Sequence, residues 1–253
     1  MNLRDNIKDS FLVNQFIAHK GLHNSEFPEN TLGAFGEAIK HNYAIEFDVQ
    51  MLFDGTLVVF HDSAISEATG KDAYLSKMTY EEIKPLKIRK SKFGIPTFKE
   101  ALKFIDGKVP ILIDIKDLSV KNVGKLEKKL CEELEGYKGE FAVASSNPYV
   151  VLWFKNNKPE FVRGIFSSFY SNDDEGKAYV KSPIVRALLK RMVLNKKIKP
   201  DFIGYHHNNL PNRFVKKYKN LPILAWTVRS QEEYLQVVKY ADNIIFENFL
   251  PKI

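Results

Sequence analysis

One alternating run, Ile45-Glu46-Phe47-Asp48-Val49, constrains this chain more than any other stretch. Apolar and acidic residues alternate there with the period of a β-strand. Residues two apart on a strand point to the same face, so Glu46 and Asp48 are neighbours. Two carboxylates that close repel one another and are driven towards protonation unless a cation sits between them. A hard divalent ion, which prefers oxygen ligands, is the natural occupant.

A second signal follows at once. Asp54-Gly55 separates two strand-like runs, and this dipeptide is the strongest short-range hairpin signal. With Asp54 and Gly55 as the two turn residues, Phe53 pairs with Thr56 and His61 falls opposite Asp48. A parallel crossover needs a dozen or more residues for its connection alone, which the span from Asp48 to His61 does not leave once both strands are placed. Upstream lie His19-Lys20-Gly21 and Pro28-Glu29-Asn30-Thr31, and Asp62 follows His61 directly.

The rest of the chain alternates strand and helix signals. Short apolar runs end at Ala18, Ile115, Ala144, Phe166, Tyr205, Val228 and Phe246. Between them lie amphipathic helical stretches. Thr79-x-x-Glu82 and Thr97-x-x-Glu100 read as capping boxes, Ser230-x-x-Glu233 as another helix start, and Asn30 or Thr31 as the cap of a helix carrying Leu32, Phe35, Ala38 and Ile39. Gly33 and Gly36 weaken that helix slightly and permit close packing. Residues 62–96 hold small and basic residues and read as an insertion. About eight main strands in 253 residues predict an α/β fold, a (β/α)8 TIM barrel with a β-hairpin excursion and a small insertion after the second strand, forming one domain over 1–253. An open doubly wound sheet is the alternative, but no G-x-G-x-x-G follows the first strand. In a barrel the strand C-terminal ends converge, which would gather His19, Glu46, Asp48, Asp114, Trp226 and Glu247 at one mouth.

Charge and composition narrow the partners. The formal charge is +7, with basic clusters at Lys87 to Lys92, Lys196 to Lys199 and Lys216 to Lys219. Such clusters are solvated faces, or they steer an anionic substrate or attract an anionic membrane surface. Nothing resembles a nucleic-acid-binding motif, so no nucleic-acid partner is expected. The single cysteine, Cys131, sits among Leu126, Leu130 and Leu134 and reads as packing. The stretch Met1 to Gln15 lacks the apolar core of a signal peptide, and no run is long enough to span a membrane, so the expected location is cytoplasmic.

The opening segment resembles the glycerophosphodiester phosphodiesterase family. That family's pattern runs H-R-G, P-E-N-T-x-x-A-F, I-E-x-D-V, a D-G turn, and V-x-x-H-D. Here it stands as His19-Lys20-Gly21, Pro28 to Phe35, Ile45 to Val49, Asp54-Gly55 and Val58 to Asp62. The resemblance implies that His19 and His61 are catalytic, one as base and one as acid, with the order left open. It implies that Glu46, Asp48 and Asp114 ligate one divalent cation, Mg²⁺ or Ca²⁺, and that Lys20, Lys116 and Trp226 contact substrate. It also implies that the insertion helps enclose the substrate. The implied reaction is hydrolysis of a small-molecule glycerophosphodiester to glycerol 3-phosphate and an alcohol through a cyclic phosphate. Alternatives are a lysophospholipase D-like activity on lipid headgroups and a silent phosphoryl-binding barrel. The alcohol and the oligomeric state stay open. Four departures stand out: Lys20 for arginine, Asp114 in place of glutamate in an E-x-K pattern, Arg229 where W-T-V-N has asparagine, and Phe246-Glu247-Asn248 in place of a T-D-Y-P-like end. His23, His206 and His207 read as structural or rim residues.

Overall fold

The computed structural model describes residues 7–117, 122–170, 180 and 182–252. The first residues of the polar N-terminal stretch, and most of the polar segment that opens at Ser171, lie outside the described residues. The strands are β1 (Ile17–Ala18), β2 (Ala44–Met51), β3 (Leu57–Val59), β4 (Ile111–Ile115), β5 (Phe141–Ser145), β6 (Arg163–Ser167), β7 (Phe202–His206), β8 (Ile223–Val228) and β9 (Asn243–Phe246). Eight parallel strands close into a (β/α)8 barrel, and β3 is bonded outside the ring. No helix among the described residues is long and apolar enough to cross a membrane. The chain divides into two compact units, Ile17–Val143 and Met1–Phe16 with Ala144–Ile253.

In the unit Ile17–Val143, β2 is the organising strand. It runs parallel to β1 and to β4, with Asp48 directly beside Asp114 in the register. Its alternation separates two chemistries. Phe47 turns towards Phe35 of α2 (Leu32–Lys40) and Phe98 of α5 (Phe98–Ile105), ring centroids 5.4 and 6.1 Å away. Glu46 and Asp48 therefore point the other way. Thr31 caps α2, accepting from Ala34 N, and the Thr97–Glu100 capping box opens α5. Gly33 does permit close packing: a Cβ there would meet the rings of Phe93 and Phe27 at 2.5 and 2.8 Å. Gly36 does not, since its nearest neighbour would be the Phe104 ring at an ordinary 3.5 Å.

The hairpin differs from the sequence expectation by one residue. Val49 pairs with Val59, Gln50 with Val58 and Met51 with Leu57. Leu52 N donates to Thr56 O, so the loop is Phe53-Asp54-Gly55, with Gly55 at φ +86°. Asp54 accepts from Thr56 N and, across the loop, from Tyr80 N, which rewards the three-residue form. Phe60, not His61, is then opposite Asp48, with its N–H donating to Asp48 O. Register here is fixed by burial. Leu52, Val58 and Phe60 join Ile65, Leu75, Met78, Ile83, Ile88 and Ile95 in one apolar cluster. That cluster is the core of the insertion, which also carries α3 (Ser66–Thr69) and α4 (Tyr80–Ile83), the latter opened by the expected Thr79–Glu82 box.

In the other unit, β6 to β9 run parallel. The helices there are α1 (Phe11–Asn14), α7 (Pro148–Asn157), α8 (Pro183–Lys190), α9 (Asn195–Ile198) and α10 (Gln231–Val237); α6 (Lys125–Leu134) belongs to the first unit. Asn243 Nδ2 reaches the carbonyls of Phe11, Leu12 and Gln15 and holds α1 to the start of β9. Between β6 and β7 each phenylalanine lies on a glycine. Gly164 is in register with Phe202, and Phe166 with Gly204. A Cβ on Gly204 would come within 1.9 Å of the Phe166 ring. Gly204→Ala is expected to cost about 1–3 kcal/mol through overpacking and to lower Tm by several degrees, measured by calorimetry.

Candidate active site

The site grows from the face of β2 opposite Phe47. Glu46 and Asp48 stand two apart on it, and the β2–β4 register sets Asp114 beside Asp48. One carboxylate oxygen from each of the three lies within 4.8 Å of the others. All three are buried, at 2, 1 and 5% exposure.

Such a cluster needs compensation, and the loops supply it. Lys116, just past β4, places Nζ 2.6 Å from Asp114 Oδ2 and 3.0 Å from Asp48 Oδ1. Asn30 donates from Nδ2 to Asp48 Oδ2 at 2.8 Å and accepts from Asp48 N at 3.2 Å. The backbone N–H of Lys20 donates to Glu46 Oε2 at 2.9 Å, while its Nζ pairs with Glu29 Oε1 at 3.2 Å. These contacts draw on left-handed backbone: Lys20, Gly21 and Asn30 have φ of +55°, +79° and +58°. A Cβ at Gly21 would lie 2.9 Å from Ala34, so only glycine fits.

Two histidines flank the carboxylates. His19 Nε2 is 4.0 Å from Glu46 Oε2. His61 Nδ1 is 2.7 Å from Asp62 Oδ1. Gln50 Nε2 donates to the carbonyls of Phe60, His61 and Asp62 at 2.8, 2.9 and 3.0 Å, fixing the backbone that carries His61. Thus His61 reaches the site from the end of the hairpin even though Phe60 takes the position opposite Asp48.

The electrostatics divide the three acids. Burial, then the charges of Asp48 and Asp114, push the Glu46 carboxyl well above the usual carboxylate range. Burial raises Asp114 too, against the pull of Lys116. Burial would raise Asp48 as well, but Lys116, His61, Lys20 and His19 outweigh it and hold that carboxyl below its ordinary value. Both histidines therefore act on one carboxylate. Asp62 is lowered chiefly by its hydrogen bond with His61.

The donor set fits a hard divalent cation. Oxygens ligating an ion at about 2.0–2.6 Å stand no more than about 5 Å apart, as these do. Asp114 Oδ1 is buried with no hydrogen-bond partner, an acceptor pointing at nothing that donates.

Trp226 and Glu247 belong to the other compact unit. There Trp226 packs 5.8 Å from the Phe166 ring and 5.3 Å from that of His206. Arg229 Nε donates to Glu247 Oε1 at 2.7 Å, so its guanidinium is engaged within that unit. His206 stacks on His207, and burial first, then the charges of His207 and Arg229, lower its pKa to about 4. His207 is buried 3.6 Å from Glu233.

Comparison with known proteins decides the family. The Glycerophosphoryl diester phosphodiesterase family matches residues 19–249. The chain belongs to this family. It is a phosphoric diester hydrolase that acts on glycerophosphodiesters. YhdW of Bacillus subtilis (strain 168) is 28% identical over 226 residues, covering 85% of this chain and 86% of that protein. The glycerophosphodiester phosphodiesterase of Caldanaerobacter subterraneus subsp. tengcongensis is 34% identical over 160 residues, 59% of this chain and 65% of that one. Among solved structures, an Oleispira antarctica phosphodiesterase in complex with its product sn-glycerol-3-phosphate shares the fold, with TM-score 0.76 and 21% identity over 93% of both chains.

Within this family member, several contacts escape a reading of the sequence. Asn30 reads as a helix cap, yet it grips Asp48; Thr31 does the capping. Gln50 carries no motif signal, because its partners are carbonyls. Glu29 and Asp62 stand inside recognised motifs but have no partner until the chain folds.

A pH-linked prediction follows from Glu46. Its folded pKa is raised, so the metal-free protein loses stability as pH rises from the ordinary carboxylate value through the raised one. In chelator-treated protein above that window, Glu46→Gln should raise Tm. A saturating divalent cation at about 1,000 times its Kd should stabilise the wild type by about 4 kcal/mol, roughly 10 °C, and the Gln variant far less. Differential scanning calorimetry with and without Mg²⁺ or Ca²⁺ checks both signs.

Proposed function

We propose that the chain hydrolyses glycerophosphodiesters by two-histidine acid–base catalysis at a divalent cation held by Glu46, Asp48 and Asp114. The observation that carries this reading is the buried meeting of those three carboxylates with Lys116, where the charges of His19 and His61 both act on Asp48.

His61 takes the role of base. Asp62, kept ionised, can only accept, so the proton of the neutral ring sits on Nδ1 and the lone pair on Nε2. That lone pair removes the proton of the glycerol 2-hydroxyl. The freed oxygen attacks phosphorus, and the bond from phosphorus to the alcohol oxygen breaks. His19, whose Nε2 lies 4.0 Å from Glu46 Oε2, gives its proton to the departing alcohol. The product of this half is a cyclic glycerophosphate. His19, now neutral, takes a proton from water, which attacks phosphorus. His61 returns its proton to the 2-oxygen as the ring opens to glycerol 3-phosphate. When bound, the cation polarises the phosphoryl oxygens and offsets the charge that develops on them.

Lys116 and Lys20 are the phosphate-binding groups in this reading. Lysine acts as a point charge and orients phosphate less tightly than a bidentate arginine. Trp226 supplies the apolar face for the glycerol carbons.

His19→Ala and His61→Ala are each expected to lower kcat about 10²- to 10⁴-fold on glycerophosphocholine, and chelation to abolish turnover. Asp62→Asn should lower kcat less and shift the acidic limb of the pH–rate profile, the limb that reports the base. Undiminished turnover in either alanine variant would refute the assignment.

A further inference from the structure

The segment from Pro183 to Lys199 takes no part in the chemistry above. It follows β6 and contains α8, a turn, and α9. Over those positions the sequence carries six cations, Arg186, Lys190, Arg191, Lys196, Lys197 and Lys199, and no acid. Its apolar residues fall into two sets. Met192 and Ile198 are buried in the core shared with Ile165, Ile203 and Tyr205. Ile184, Val185, Leu188 and Val193 face outward, at 72, 42, 44 and 50% exposure.

Ile184, Val185 and Leu188 are spaced to share one side of α8. Three large aliphatic side chains on one exposed helix face, with a fourth just beyond it, are not the scattered single residues of an ordinary surface. Cations follow this face closely in the chain. Arg191, Lys196, Lys197 and Lys199 are exposed, and Lys190 lays its ammonium 4.0 Å from the centre of the Phe169 ring. The segment is anchored to the strands and to α7. Ser167 donates from Oγ to Leu189 O, Tyr205 from Oη to Lys190 O, and Lys155 of α7 from Nζ to Lys197 O. An anchored segment that exposes an apolar helix face together with several cations matches the boundary of a lipid bilayer whose headgroups are negative.

We propose that α8 and α9 dock this enzyme on an anionic membrane surface, with Ile184, Val185, Leu188 and Val193 entering the headgroup layer and Arg191, Lys196, Lys197 and Lys199 contacting lipid phosphates. A protein partner would need a face that is both apolar and acidic. The bilayer offers both together, and the exposed cations have no acid within their own segment. The docking reading is independent of the catalytic one, because no residue in it belongs to the site around Glu46.

Cosedimentation with vesicles tests it. The full chain should bind vesicles of phosphatidylglycerol mixed with phosphatidylcholine and leave pure phosphatidylcholine vesicles unbound. Binding should weaken with added salt and fall about fivefold for each of Lys196 and Lys197 changed to Gln. Ile184→Ser with Leu188→Ser should lower it by about tenfold or more. Turnover of soluble glycerophosphocholine should be unchanged in all these variants, which separates a failed docking surface from a failed catalytic assignment. Equal binding to both vesicle types, no binding at all, or binding indifferent to these substitutions would overturn the proposal. So would a dimer in analytical ultracentrifugation that Ile184→Ser with Leu188→Ser dissociates, since the face would then belong to a second copy.

Discussion

Three carboxylates packed within 4.8 Å of one another and shut away from water are the constraint on which this structure turns. At that spacing each charge raises the cost of the next, and low local polarity magnifies the effect. The protein answers with fixed groups. Lys116 spans Asp48 and Asp114, Asn30 holds Asp48 at two points, and a backbone N–H reaches Glu46. These answers are unequal. Asp48 is overcompensated, and Glu46 is left short of positive charge. The imbalance is what a cation would correct, which is why the donor set reads as a site rather than as a closed ion-pair network.

Holding the compensating groups in place requires backbone that most residues avoid. Lys20, Gly21 and Asn30 all take positive φ within the two loops that face the carboxylates. For Lys20 and Asn30 that conformation carries a cost of order 1 kcal/mol or more each, offset by the packing that surrounds them. The packing is the other face of β2, where Phe47 lies between Phe35 and Phe98. One strand thus carries the apolar layer that stabilises the unit and the acids that burden it.

How much of this was legible in the sequence depends on the range of the interaction. The acidic face of β2 follows from a period of two, and the helix starts at Thr31, Thr79 and Thr97 from residues three apart, so local pattern fixes them. The hairpin shows where local pattern stops. Asp-Gly signals a turn, but the choice between two and three loop residues rests on Asp54 meeting Tyr80 and on Phe60 and Val58 entering the insertion core. Those partners lie many residues away. Gln50 was invisible for the same reason: it binds three carbonyls, and a carbonyl has no sequence identity. The Gly–Phe pairs of β6 and β7 likewise exist only once the strands are in register.

The departures from the family pattern make sense at the same scale. A glutamate at position 114 would reach one methylene further than Asp114 does. With aspartate, the carboxylate stays close to β4, and Lys116, two residues on, bends back to within 2.6 Å of it. Asp114 Oδ1 remains unpaired as a result, because the lysine approaches from the Oδ2 side. At position 20 the family's arginine would present a rigid fork, whereas Lys20 directs its single ammonium to Glu29 and leaves Glu46 to its own backbone N–H. The two changes share a direction. Each replaces a longer or broader side chain by a more compact one while keeping its charge, and in each case a neighbour of opposite sign lies close, Lys116 at 2.6 Å from Asp114 and Glu29 at 3.2 Å from Lys20. What such a site gives up is reach, because Lys116 and Lys20 each hold their ammonium on a carboxylate of this chain.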